Sequence, residues 1–390
     1  MTKKKNFIAY VSSVFLLIIS LVLTACGGPS DGKKDAAQGG KNIEITDVSG
    51  QTVTLKKPAE RVVVQWSASG GAFLTMAALE GKDVAKTIVG IDPMLSKFRT
   101  DMWDQFKKDV PELEKIPVIG TVNDKTFDTE KVISLNPDVI FIPLNMKDQY
   151  ESDYKPKLDA AGITTIYIDY HAEKLENHQK SIEAIGKALG KEERAEEIKS
   201  FYTDRLTKVL DRVKNINKTK PTVYIEAGNE GPETFGISYS EKVAWGALAT
   251  RVGGDLITKD VVKSAEPVNP EFVLDRNPDI IMITGSYWPK KASSMRLGFD
   301  TDEARSQELL KAFTTERKGW DTLKAVTNKK VFSAHHGLPR EVYDVAVFEY
   351  LAKTFYPEEF SDVNPENTLK EFYDKFLPFT YGGIWFMQLK

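Results

Sequence analysis

Residues 130–142 read EKVISLNPDVIFI, and residues 271–283 read EFVLDRNPDIIMI. The glutamate and the Asn-Pro-Asp keep the same offset in both copies, at Glu130 with Asn136-Pro137-Asp138 and at Glu271 with Asn277-Pro278-Asp279. The shift, from 130 to 271, is 141 positions. That is far wider than the roughly 20–50 residue period of a solenoid. It predicts two similar lobes, each carrying one helix–turn–strand unit and one acidic residue. Within each unit the local chemistry agrees. Asp128 and Asn269 are suited to cap a helix, and Pro270 suits a first helical position. Glu130 and Glu271 then fall in the first turn, where the helix dipole favours negative charge. Pro137 and Pro278 stop the helices. The apolar runs 139–142 and 280–283 follow as strands buried on both faces.

Outward from the repeat, the same logic continues. Residues 43–55 alternate apolar and polar about Ser49-Gly50, which predicts a β-hairpin. The runs 62–64 and 88–91 predict short buried strands, with a helix over about 72–79 between them. Strands alternating with helices give an α/β fold of two similar lobes with central, mostly parallel sheets. Between the lobes, residues 177–189 predict one amphipathic helix ending at Gly190. A second follows over about 191–216, with Ala195, Ile198, Tyr202, Leu206, Leu210 and Val213 on one face. This long helix is expected to join the lobes, leaving a ligand cleft between them.

The N-terminus carries Lys3, Lys4 and Lys5 before an apolar run from Phe7 to Leu23, the n-region and h-region of an export signal. Leu23-Thr24-Ala25-Cys26-Gly27 resembles the bacterial lipoprotein signal, which implies cleavage before Cys26 and lipid on its thiol. The expected organisation is therefore a signal peptide at 1–25, a flexible tether at 26–40, an N-terminal lobe at 41–172, a helical segment at 173–218 and a C-terminal lobe at 219–390. The sequence has 390 residues, a net charge of −3, four histidines and one cysteine. Such a balance argues against nucleic acid as a partner, and against a zinc site of the Cys/His type. With Cys26 the only cysteine, no internal disulfide forms.

A lipoprotein signal, a hairpin, two helix-linked α/β lobes and two Glu…Asn-Pro-Asp units resemble the class III substrate-binding proteins of ABC importers. The likeness covers residues 41–390 and includes VSGQTVTLKKPAERVVV (48–64), RVGGDLI (251–257) and KKVFSAHHG (329–337). The family serves ferric siderophores, haem and cobalamin. The resemblance implies a monomer lipid-anchored on the extracellular face of a bacterial membrane, partnered by a permease and a cytoplasmic ATPase. It also implies that Glu130 and Glu271 dock on arginine pockets of the permease. One departure is GGAFLTMAALEG (70–81), where Glu80 stands before Gly81. No function is assigned to Glu80.

In open α/β sheets, ligands bind beyond the carboxyl ends of the strands. The candidate loops are 66–71, 92–99, 143–147, 169–171, 227–230, 285–288 and 334–340. From these the ligand-binding candidates are Trp66, Arg99, Tyr170, Tyr287, Trp288, His335, His336 and Arg340. Arginines would pair with an anionic ligand and tryptophans would stack on a planar one. Lys147 and Arg296 are further cations, and Met94, Met146 and Met295 further thioethers. His335 or His336 would serve haem iron as an axial ligand; alternatively, either histidine or Arg340 would donate to a siderophore oxygen. Adjacent side chains of an extended segment diverge, so at most one histidine should face the cleft. The ligand is expected to be an iron chelate or haem, with ferric siderophore ranked first, haem second and cobamide third, and no cofactor held permanently. Rival readings are a surface-anchored enzyme and a sensor or adhesin. The chain contains no HExxH, P-loop or GxSxG, and no GxGxxG after its first strand, so an enzyme is not expected.

Overall fold

The computed structural model describes residues 42–66, 71–288 and 290–390. The expected signal peptide, Cys26 and the tether lie outside the described residues. Lys41–Lys390 form one compact unit.

The chain enters through β1 (Ile43–Thr46) and β2 (Thr52–Leu55), an antiparallel hairpin that pairs Thr46 with Thr52. Four strands then build the first sheet: β3 (Val62–Val64), β4 (Ile88–Ile91), β5 (Val139–Pro143) and β6 (Thr164–Ile168). All are parallel, in the order β4-β3-β5-β6. Every residue of β5 is buried, as its unbroken apolar run requires. Asp47 ties the hairpin to the edge of this sheet. One carboxylate oxygen accepts from Ser49 N at 2.8 Å and the other from Tyr167 N at 2.9 Å.

The second lobe adds β7 (Thr222–Ala227), β8 (Ser238–Tyr239), β9 (Asp255–Leu256), β10 (Ala265–Glu266), β11 (Ile280–Thr284), β12 (Val331–Ala334) and β13 (Phe386–Gln388). They form one mixed sheet. Its centre, β9-β7-β11-β12, is parallel, and β8, β10 and β13 join antiparallel towards the edges.

The helix between the lobes is Glu192–Lys214, 23 residues, or about 35 Å at about 1.5 Å per residue. Ala195, Ile198, Tyr202 and Leu206 are buried along it, and Leu210 and Val213 are partly buried. It packs against the helix Leu175–Leu189 on one side and Val345–Phe355 on the other. Gly190 ends the former in the left-handed conformation, φ 63°. Among the described residues, no helix is long and apolar enough to cross a membrane.

The repeat is nearly identical in form. Asp128 Oδ1 accepts from Lys131 N at 2.9 Å, and Asn269 Oδ1 from Glu271 N at 2.9 Å. Asn136 and Asn277 both leave their helices with positive φ, 46° and 44°. Asp138 then clamps the strand beside it, accepting from Glu60 N and Arg61 N at 2.9 Å each. Asp279 does the same to Thr222, accepting from its N at 2.9 Å and its Oγ1 at 2.8 Å. So Asn-Pro-Asp is a piece of structural chemistry. The two glutamates are exposed, and the carboxylate of Glu130 lies 3.7 Å from Lys157 Nζ.

Candidate functional site

A cavity of ≈ 370 Å³ opens between the lobes. Trp66, Phe98 and Arg99 come to it from loops after β3 and β4; Ser286, Trp288, His336 and Arg340 come from loops after β11 and β12. The carboxyl-end rule thus locates four of its walls. The fifth wall, around Tyr239 in β8 and Val243-Ala244-Trp245 at the head of the helix Ala244–Arg251, has no such signal. It depends on two-residue antiparallel strands that only tertiary pairing creates.

Each aromatic has a cause for its place. Asp92, at the end of β4, takes the backbone N–H of Trp66 on one carboxylate oxygen and that of Met94 on the other at 2.9 Å. Burial pushes its carboxyl up to about 7, against the pull of those two bonds. Trp66 then stacks on Phe98 with ring centres 5.9 Å apart and an interplanar angle of 18°. Phe98 stays 61% exposed, which is unusual for a large apolar ring and gives the cleft an apolar lip. Across the cavity Trp288 meets the His336 ring edge-on at 5.5 Å. Trp245 is buried and donates its indole N–H to the His336 carbonyl at 3.1 Å.

The two histidines diverge. His336 lines the cleft, and its Nδ1 lies 2.9 Å from Thr284 Oγ1 and 3.5 Å from the Tyr239 hydroxyl. Burial, then the charges of His335, Arg99 and Arg340, push its pKa down to about 3, so the ring is neutral at physiological pH. His335, a ligand-binding candidate by sequence, does not face the cleft. It is fully buried behind the cleft, against Trp385 at 4.8 Å, and its Nε2 points to Asp101 of the other lobe at 3.5 Å. Burial would raise the Asp101 carboxyl, but the His335 hydrogen bond and the Arg99 charge bring it below its usual value.

Arg99 and Arg340 border the cavity but are already engaged. Arg99 Nη1 donates to the Gly337 carbonyl at 2.8 Å and to Glu341 at 3.1 Å, joining the lobes. Burial opposes its charge, while Tyr343, Glu341 and Asp101 raise its pKa. Arg340 Nε donates to Glu173 at 2.9 Å. Both partners hold a left-handed backbone, φ 69° and 55°, which costs of order 1–3 kcal/mol at each non-glycine residue.

Two other candidates lie away from the cavity. Tyr170 is a core residue, 2% exposed, with its hydroxyl 2.7 Å from Thr75 Oγ1. Asp169 turns the chain there by accepting from His171 N and Ala172 N, at 2.8 and 3.0 Å, so the tyrosine dives inward. Tyr287 is half-buried and carries the Arg296 guanidinium over its ring at 5.4 Å. The thioethers of Met94, Met146 and Met295 are buried packing groups. Among the described residues, no group of three or more His, Cys, Asp or Glu side chains could hold a metal ion.

The body is a lobed α/β fold with an aromatic cleft between its lobes. Residues 78–337 match the periplasmic binding protein family, and the chain belongs to it. It is an ABC transporter substrate-binding protein of the class III, TroA-like type, not an enzyme. Its relatives include the TroA-like periplasmic binding protein FepB from Veillonella parvula, 71% identical with a TM-score of 0.88, covering 89% of this chain and 100% of that one. The ABC transporter substrate-binding lipoprotein YvrC of Bacillus subtilis is 26% identical over 363 residues, 89% of this chain and 97% of its own length. The molybdate-binding protein MolA of Haemophilus influenzae is 24% identical over 358 residues, 86% of this chain and 91% of its own.

Proposed function

We propose that the protein is held by lipid at Cys26 on the outer face of a bacterial membrane and captures an iron complex there. A ferric siderophore ranks first as cargo and haem second. A permease with a cytoplasmic ATPase takes the cargo inward, and Glu130 and Glu271 are the two feet that dock on that permease. The anchor is supported by Leu23-Thr24-Ala25-Cys26-Gly27 and by the lipoprotein YvrC among the relatives.

One observation carries the choice of cargo. The cleft wall combines the rings of Trp66, Phe98 and Trp288 with a neutral imidazole and two arginines. Rings bind a flat or aromatic body. A bare oxyanion such as the one MolA binds needs a small shell of converging donors, and this wall is mostly apolar.

Titration of the detergent-solubilised full chain with ferric siderophores, haem and cobalamin tests the reading. Trp66, Trp245 and Trp288 line the cavity, so cargo entering it should quench tryptophan fluorescence. No response to any of the three classes would sink the iron-complex assignment.

A further inference from the structure

Asp92 does more than orient one tryptophan. Its backbone N–H donates to the Val64 carbonyl at 3.3 Å, extending the ladder past the paired Val64 and Ile91. Its side chain then serves as the next rung, accepting from Trp66 N on one oxygen, while the other oxygen accepts from Met94 N at 2.9 Å. Met94 opens the short helix Met94–Phe98, and Phe98 at its far end is the ring on which Trp66 stacks. Both halves of the aromatic lip therefore hang on one carboxylate. Gln65, just before Trp66, is pinned elsewhere: its Nε2 donates to the Gly120 carbonyl at 3.0 Å, and its Oε1 accepts from Val122 N at 3.0 Å. Freedom gained at Asp92 thus passes to Trp66 and not to β3.

We propose that Asp92, which does not line the cleft, is the positioning residue of its lip: ionised, it holds Trp66 and the Phe98 helix in register, and on protonation it lets Trp66 go, so that acid weakens solute binding. The inference needs only that solute binds in the cleft, and it stands apart from the choice of an iron complex. A carboxylate offers both oxygens as acceptors, whereas the acid turns one of them into a donor. The bonds it keeps also lose the strengthening that charge gives them, roughly a factor of two. The setting makes that proton available. Asp92 is 2% exposed, and burial pushes its carboxyl up to about 7. Asp124 raises it further, and Lys97 of the same short helix opposes the rise. Lys107 and Glu114 share an outer cavity with Asp92 but are tied to each other at 3.2 Å.

Fluorine NMR of the detergent-solubilised full chain, labelled with 5-fluorotryptophan, tests the inference. Trp66→Phe identifies the Trp66 signal among the six tryptophans. That signal should titrate with a midpoint near 7 in the parent chain. In Asp92→Asn, whose amide also has one acceptor oxygen, it should stand still at the parent's acid limit. Asp124→Asn should lower the midpoint and Lys97→Met should raise it, with Asp92 itself untouched in both. Binding of ferric protoporphyrin IX and of a ferric tris-catecholamide is then measured at about pH 6 and about pH 8. The ratio of the two dissociation constants in the parent, divided by that in Asp92→Asn, should be about ten, which cancels any titration of the probe itself. A Trp66 signal that does not titrate, one that titrates equally in Asp92→Asn, a midpoint indifferent to Asp124 and Lys97, or a quotient of one would overturn the role.

Discussion

Asp344 and His178 face each other in the interior, both 1% exposed at the side chain, with 4.0 Å between Oδ2 and Nδ1. At that distance an ion pair is conceivable, but burial works against both charges. It raises the Asp344 carboxyl from an ordinary 3.8 to about 8 and lowers the His178 imidazole from 6.5 to about 4. The pair is thus a protonated acid beside a neutral base, with Tyr202, Glu173, Arg251 and the Arg340 backbone N–H around it. The two groups act oppositely on stability. Between about pH 4 and 6.5 the unfolded chain protonates His178 and the folded chain does not, so this term rises with pH. From 3.8 to about 8 the folded chain keeps a proton on Asp344 that the unfolded chain has lost, so this term falls with pH. Above pH 6.5 only the fall remains. Asp344→Asn should therefore gain on the parent chain between pH 6.5 and 8, by up to about 1.4 kcal/mol per pH unit. Urea midpoints at the two pH values measure it, and parallel behaviour would mean that Asp344 is ionised in the fold.

At the scale of elements, the Asn-Pro-Asp unit explains why two separated segments fold alike. Asn supplies the left-handed exit, Pro forbids another helical turn, and Asp gathers the N–H groups of the neighbouring strand. Asp279→Ala would strip Thr222 of both its side-chain and backbone acceptor at the start of β7. The expected cost is about 1–3 kcal/mol, read as a lower urea midpoint, and Asp138→Ala should cost less, because the Glu60 and Arg61 N–H groups it frees are exposed to water. Neither substitution reaches the cleft, so cargo affinity should hold. This unit, the hairpin and the linking helix were legible because their signals are local: caps, turn residues and periodicity. What escaped depends on distant partners. β8, β9 and β10 have two residues each, too few for any pattern, yet Tyr239 and Trp245 beside them wall the cleft. The strand-end rule named Tyr170 and His335 as readily as Trp66 and His336, but alternation and an Asx turn sent the first two into the core.

At the scale of the molecule, the two lobes are not free bodies. The largest apolar cluster runs from Val62 and Phe141 through Tyr202 and Leu206 of the linking helix to Val345, Phe372 and Trp385. Two buried ion pairs tie the second lobe to the first and to the start of its following helical segment, Arg99–Glu341 at 3.1 Å and Arg340–Glu173 at 2.9 Å, beside a buried contact of Asp101 with His335, whose imidazole pKa burial pushes down, at 3.5 Å. Wide opening would strand those charges, and an unpaired buried charge costs about 3–5 kcal/mol. Glu130 and Glu271 are therefore mounted on lobes whose spacing is nearly fixed, one in the first turn of Thr129–Ser134 and the other in that of Pro270–Arg276. A permease engaging both carboxylates would read that spacing as a two-point gauge, and a small change on cargo binding would suffice to alter the fit. Helix-dipole stabilisation alone would make each glutamate worth only about 0.3–1 kcal/mol to its own helix. The double variant Glu130→Ala/Glu271→Ala separates the two roles. It should keep its melting temperature within a few degrees and bind cargo with unchanged affinity, because neither residue lines the cavity. Uptake by cells carrying the variant should fall to background, with each single variant between. Undiminished uptake by the double variant would leave the glutamates as helix ornaments and the permease contact elsewhere on the lobes.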